Sequence, residues 1–424
     1  MFKDFQGSFW DSGYTAYGVL AINVVEGRGF RLQHGGKNGV YFMGETRAER
    51  MPLYPLFLSV LYVGFGKSTT APVLAQSIIG TLTVLITFLI GRQLFNEKVG
   101  IAASSLTAIY PYYVVHDTAL QETSLLTLLT GVSVLCLIKC IRYNSLRYYV
   151  LAGVSLGIGS LCKNILLGFV PFAVFWILLN PIKDKTRKIS ILLLSFAIVM
   201  SPWVIRNTLV LGKPIIGTTQ TGGVLWQGNN PFVLSYYPWK SIDNSTGKAL
   251  EALTTKDKKE LLGLDELGKQ RWYRQKAVKF MRENPVLTIK AAFIKAFAGM
   301  GWILSPQKDR PILNFIYTAS YLPLLIFGIA GAILTRKTWR EISIIYFLFV
   351  PFLLITMLFF AHTSSRVYLD IYLMVLAAFT LVKVGEWLWL NLTQTPLRAS
   401  TKTAPPAQNT NFTTKRILSQ ENNL

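Results

Sequence analysis

Charge is what this sequence has least of. Only 15% of its 424 residues are Asp, Glu, Lys or Arg, where a soluble domain carries about a quarter. Acids are the scarcer sign: 21 Asp and Glu stand against 43 Lys and Arg, a formal charge of +22. Cysteine is nearly absent. Cys136, Cys140 and Cys162 all fall in apolar runs, so no disulfide framework is implied, and no Cys or His spacing matches a structural zinc site. They read as small core residues. There is no glycine-rich phosphate loop. No basic stripe on a soluble domain is visible either, which argues against nucleic acid.

What fills the space is apolar: 51% of residues are hydrophobic and 13% aromatic. They gather into long runs separated by short basic connections, the pattern that bilayer insertion requires. Nine spans are expected, at 72–95, 99–116, 122–140, 147–162, 164–180, 188–205, 312–335, 341–361 and 367–389. The fourth and fifth together cover about 51 Å as helix, too long for one span of a core about 30 Å thick. A lysine in mid-bilayer would be costly, so the chain is expected to turn at Lys163 and Asn164.

Lys and Arg then set the orientation. Basic residues crowd four connections: Arg92 and Lys98; Lys139, Arg142 and Arg147; Lys183 to Lys188; and Arg336 to Arg340. With nine spans all four fall on one side, the cytoplasm. Five regions follow: 1–70 as a first extracytoplasmic loop with juxtamembrane helices, 71–205 as a transmembrane core, 206–311 as a large extracytoplasmic loop, 312–390 as C-terminal spans, and 391–424 as a disordered cytoplasmic tail. Within the large loop, 248–283 reads as soluble helix and 286–304 as an interfacial helix, with a tenth span as the minority view. The layout leaves the N-terminus outside with no span before it, so an earlier helix is expected to be missing from the chain as given.

The outer face gathers ionisable residues. Asp11 precedes Tyr14, Tyr17 and Leu20, which recur at helical spacing, so it either caps a surface helix or holds a carboxylate at the helix dipole. Asp117 and Glu122 occupy a short turn, HDTALQETSLL, as solvated acids, helix caps or a general acid/base pair. His116 beside them hints at metal, but Thr and Leu fill the rest of the turn. Arg50, Lys163, Arg206 and Arg366 come from distant stretches on the same side. Each alone reads as a snorkelling residue; together they can converge on an anion, for which Arg is well shaped. Ionisable groups inside the spans are few (Asp370, Glu386), which weighs against a proton-coupled transporter.

The strings DSGYTAYGVLAINVVEGRGF, RMPLYPLFLSVLYVGFG, AIYPYYVVHDTALQETSLL, GSLCKNILLGFVP, SPWVIRNTLVLGKPI and TGGVLWQGNNP, in this order, resemble the C-type glycosyltransferase superfamily. The resemblance is to family 39-like enzymes, relatives of dolichyl-phosphate-mannose protein mannosyltransferases and of the aminoarabinose transferase. It implies an all-α polytopic membrane bundle that moves a sugar from a polyprenyl-phosphate donor to an acceptor hydroxyl on a protein, lipid or glycan, with inversion. It implies Asp11 as catalytic base, Glu122 as a second acid with Asp117 sharing that site, and Arg50, Arg206, Arg366 and Lys163 as cations for the donor phosphate. The implied location is the bacterial inner membrane, with the site on its extracytoplasmic face. The use of a divalent metal is left open. Two departures stand out: Ser12 replaces an acid that often follows the first, and the family's first helix is not found before Asp11. The competing readings are a lipid or solute transporter or flippase, and an inactive truncated fragment.

Overall fold

A computed structural model of the chain describes residues 14–34 and 44–399. Asp11 and the 400–424 stretch lie outside the described residues. The described chain is overwhelmingly helical, with one short antiparallel hairpin of β1 (Leu32–His34) and β2 (Gly44–Thr46). Helix is the expected answer to long apolar runs, because backbone groups in lipid must pair within their own segment.

All nine expected spans are helical, and six helices are long and apolar enough to cross a membrane. After α1 (Tyr14–Val25) and α2 (Leu53–Phe65) come α3 (Thr70–Leu94), α4 (Glu97–Ile109), α5 (Pro111–Asp117) and α6 (Thr123–Tyr143). The expected span 99–116 is therefore two helices. Pro111 has no N–H to give and a ring that crowds the preceding turn, so α4 stops before it and α5 starts on it. Next are α7 (Leu146–Cys162), α8 (Val170–Leu179) and the 27-residue α9 (Lys185–Leu211). The chain does turn at Lys163, whose extended backbone (φ −150°, ψ 127°) ends α7. Both arms of that hairpin, Leu146–Cys162 and Asn164–Leu179, are shorter than the six long helices. The protein is an integral membrane protein built as a bundle of helices.

The stretch between the spans forms α10 (Thr221–Gly228), α11 (Ile242–Glu251), α12 (Thr255–Leu262), α13 (Glu266–Glu283) and α14 (Pro285–Met300). Leu225 and Trp226 of α10 pack on Trp272, Tyr273 and Ala277 of α13. Gly228 is obligatory there: a Cβ would stand 1.7 Å from the Phe359 carbonyl oxygen. Helix α14 turns an apolar stripe of Val286, Ile289 and Phe293 outward, as a helix lying against lipid should. Its Lys295 points inward and is buried. The ammonium donates to the Gly228 carbonyl (3.1 Å), Asn229 Oδ1 (3.2 Å) and the Leu358 carbonyl (3.3 Å). The chain continues with α15 (Pro311–Leu334), α16 (Trp339–Leu358) and α17 (Asp370–Ala399). The described residues up to Val382 form one compact unit, and the rest of α17 belongs to a second.

Two packing clusters position the site. Tyr17 and Ala21 of α1 pack on Tyr54, Leu58 and Tyr62 of α2. Ala48 and Met51, just before α2, pack on Met200 and Trp203 of α9. The segment 47–51 is thus held between the first helices and the transmembrane core.

Candidate active site

Five separate stretches meet at one end of the bundle. Glu122 precedes α6, with its carboxylate on Lys163 Nζ at 2.8 Å. It accepts no capping bond from its own helix, so the capping alternative fails. The Tyr17 hydroxyl of α1 lies beside the same carboxylate and helps to lower its pKa. Burial alone would raise the Glu122 pKa; the Lys163 ammonium, by charge and by hydrogen bond, more than offsets it and keeps the group below the ordinary carboxylate value. Glu122 is therefore an ionised anchor.

Arg50 lies on the other side of Tyr17, its guanidinium 5.5 Å from the ring centroid. Its Nη1 donates to Gln220 Oε1 at 3.0 Å. The Gln220 amide in turn donates to Glu49 Oε1 at 2.8 Å, so one side chain orients both charges. Arg50 Nε is buried with no partner among the described residues, and its side chain remains 25% exposed. Lys163 is similarly open, at 31%. The site thus offers two cations with donor capacity to spare, steadied by two carboxylates.

The backbone under Arg50 is fixed from the large loop. Glu266, at the start of α13, accepts the Arg47 N–H at 2.8 Å and the Ala48 N–H at 3.1 Å, and also the Thr219 hydroxyl. From the opposite side Arg206 donates to the Arg47 carbonyl (2.6 Å) and the Phe30 carbonyl (3.0 Å), its guanidinium lying 5.4 Å from the Phe30 ring and 5.3 Å from the Trp203 ring.

The structure therefore brings together Glu122, Lys163 and Arg50, and places Arg206 one layer behind them. It does not bring Arg366 into the group. Arg366 is fully buried. It spends its donors on Asp370 Oδ1 (2.8 Å), the Gly299 carbonyl (3.4 Å) and the Tyr317 hydroxyl (3.2 Å), and stacks 3.6 Å from the Tyr321 ring centroid. Asp117 also points elsewhere. It accepts from Ser124 at 2.5 Å, and burial lifts its carboxyl to about 6. No trio of His, Cys, Asp or Glu among the described residues is placed to hold a metal ion. Tyr17, Glu49, Gln220 and Glu266 were not singled out in the sequence. Only Glu49, beside Arg50, carried any local signal.

Residues 49–205 match the Dolichyl-phosphate-mannose-protein mannosyltransferase family. That stretch contains Arg50, Asp117, Glu122 and Lys163. The resemblance to C-type glycosyltransferases read from the sequence is thereby borne out. No curated protein matches the chain in sequence. Among solved structures, the Archaeoglobus fulgidus oligosaccharyltransferase tethered with an acceptor peptide is similar over 93% of this chain and 48% of its own, at 13% identity and TM-score 0.50. The same enzyme in its apo form gives 13% identity and TM-score 0.50, over 94% of this chain and 49% of its own. The ArnT of Cupriavidus metallidurans bound to undecaprenyl phosphate is similar over 91% of this chain and 75% of its own, at 12% identity and TM-score 0.39. The likeness to the oligosaccharyltransferase is one of fold, and this chain spans about half of that enzyme's length.

Proposed function

We propose that this protein is a glycosyltransferase that takes a sugar from a polyprenyl-phosphate carrier and places it on an acceptor hydroxyl. The observation that carries the reading is the pairing of two half-open cations, Arg50 and Lys163, with anchoring carboxylates at one end of a membrane bundle. The family match over 49–205 supports it. So does the likeness in fold to the Archaeoglobus fulgidus oligosaccharyltransferase tethered with an acceptor peptide.

The chemistry is displacement at the anomeric carbon. The acceptor oxygen forms the new bond, the carbon–oxygen bond to phosphate breaks, and the lipid phosphate leaves with the electron pair. Arg50 and Lys163 stabilise the charge growing on that phosphate, where preorganised donors matter most. Asp11, which precedes α1 by three residues, takes the acceptor proton. Glu122 holds Lys163 and Tyr17 in place. Arg206 keeps the Arg47 carbonyl fixed, so its contribution to phosphate binding is indirect. A single displacement inverts the anomeric centre. No step is assigned to a divalent metal, because the described residues do not by themselves form a site for one. The site faces the extracytoplasmic side of the bacterial inner membrane, and the large loop 206–311 contacts the acceptor, whether protein, lipid or glycan.

The test uses the full chain in nanodiscs with a short-chain polyprenyl-phosphate sugar. Arg50→Ala should raise the donor KM and cut transfer about 10²- to 10³-fold, as removal of one charge-stabilising donor does. Donor kinetics equal to wild type would remove Arg50 from the reaction. Asp11→Asn should abolish transfer while the variant still folds and binds donor; near-normal turnover would exclude Asp11 as base.

A further inference from the structure

At the same end of the bundle as Glu122, a cavity of about 400 Å³ opens between α3, α4, α5 and α6. The donor cluster does not use it, since none of Arg50, Tyr17, Glu122 and Lys163 lines it. Its floor is Asp117. Among the described residues that carboxylate has no cation within ion-pair distance; its one side-chain partner is Ser124. Its Oδ2 packs against the backbone of α3, where a Cβ on Gly80 would fall 2.1 Å from it.

The rest of the lining mixes apolar Val84, Ala108 and Val114 with side-chain hydroxyls. Ser77, Thr81, Thr83, Thr107 and Thr127 all donate their hydroxyl protons to carbonyls one turn back in their own helices. Ser124 donates to Asp117. What these groups leave for the cavity is oxygen lone pairs. His116 behaves alike. Its Nδ1 lies 2.7 Å from the Tyr112 carbonyl, which only accepts, so Nδ1 carries the proton. Nε2 then presents a lone pair, and it has no partner among the described residues although the residue is 1% exposed. The walls are thus rich in acceptors, and the charge on them is negative. Its mouth lies where the lining residues Ser77, Thr81 and Val114 are exposed.

We propose that this cavity binds an organic ammonium group, the –NH₃⁺ of a lipid headgroup or of a free amine. An ammonium brings three N–H donors and one positive charge, the complement of the hydroxyl and imidazole lone pairs beside the Asp117 carboxylate. A phosphate or carboxylate would meet repulsion there. A trimethylammonium group would bring the charge and no donors.

The test uses the full-length protein in nanodiscs of phosphatidylglycerol, titrated with ethanolamine and followed calorimetrically. Ethanolamine should bind at least tenfold more tightly than choline. Asp117→Asn, which keeps an acceptor for Ser124, should weaken ethanolamine at least tenfold. Thr81→Val, a milder change at the mouth, should weaken it several-fold. The titratable groups lining the cavity are Asp117, His116 and Tyr113, and Asp117 is the one that ionises near neutrality. Affinity should therefore fall as pH drops through about 6 and hold above it. Replacing phosphatidylglycerol by phosphatidylethanolamine distinguishes the sources. Loss of the ethanolamine signal would identify the headgroup as occupant, and an unchanged signal would identify a soluble amine. Absence of ethanolamine binding in phosphatidylglycerol, equal binding of choline, or an Asp117→Asn variant that binds as wild type would each overturn the proposal.

Discussion

Two arrangements of arginine and carboxylate, one buried and one half-open, are built on opposite plans. Around Arg366 the guanidinium meets Asp370, a tyrosine hydroxyl, a carbonyl and an aromatic face, and each of its three nitrogens has a partner. Around Arg50 the carboxylates stand back: Glu49 is 3.8 Å away, Gln220 takes one donor, and Nε takes none. A cation in a low-dielectric place must be compensated. Full compensation makes it part of the framework. Partial compensation leaves it able to recruit another anion. The accounting of donors therefore separates scaffold from site better than charge or burial does.

The sharpest break of this contrast is Asp370→Ala. Leaving Arg366 buried without its carboxylate should cost about 3–5 kcal/mol, read as a fall in the thermal midpoint in detergent. A variant of normal stability would show that the pair is not structural. Arg50→Ala should do the reverse. Stability should stay near wild type while transfer falls by the equivalent of about 2.7–4 kcal/mol; a collapse in stability would place Arg50 in the framework. Arg206→Met lies between. It removes hydrogen bonds to the Phe30 and Arg47 carbonyls from a half-exposed guanidinium, so moderate losses in both stability and donor affinity are expected. A loss in only one would assign Arg206 to that side. The smallest effect concerns pH. Glu122 has a depressed folded pKa, so its ion pair stabilises fully above the unfolded carboxyl value near about 4.3 and is lost as pH falls through the folded one. The thermal midpoint of wild type minus Glu122→Gln should be flat from pH 5 to 8, within about a degree, and shrink below that range. A difference that grows with acid would contradict the pairing.

Much of the fold was legible because lipid leaves a chain few options. Apolar length gave the helices, and Lys163 marked the hairpin because a lysine is expensive at mid-bilayer. The break at Pro111 was legible in principle, and the single span 99–116 overlooked it. Within the site, Arg50, Glu122 and Lys163 stood out because so little charge surrounds them. Their supporting groups did not. Gln220 reaches Arg50 across 170 residues and Glu266 reaches Ala48 across 218, and neither a glutamine in a loop nor a glutamate opening a soluble helix announces such a partner. Arg206 looked like Arg50 for a related reason. Its acceptors are largely carbonyls, and every residue has one.

Glu266 has a consequence for how such proteins diversify. Because this carboxylate clamps the peptide just before Glu49 and Arg50, the segment that would choose an acceptor and the segment that would grip a lipid phosphate are mechanically one piece. Grafting 206–311 from a relative would import whatever residue stands in place of Glu266. A chimera that exchanges the loop and keeps its own 44–51 should lose donor affinity along with acceptor preference, unless both stretches travel together.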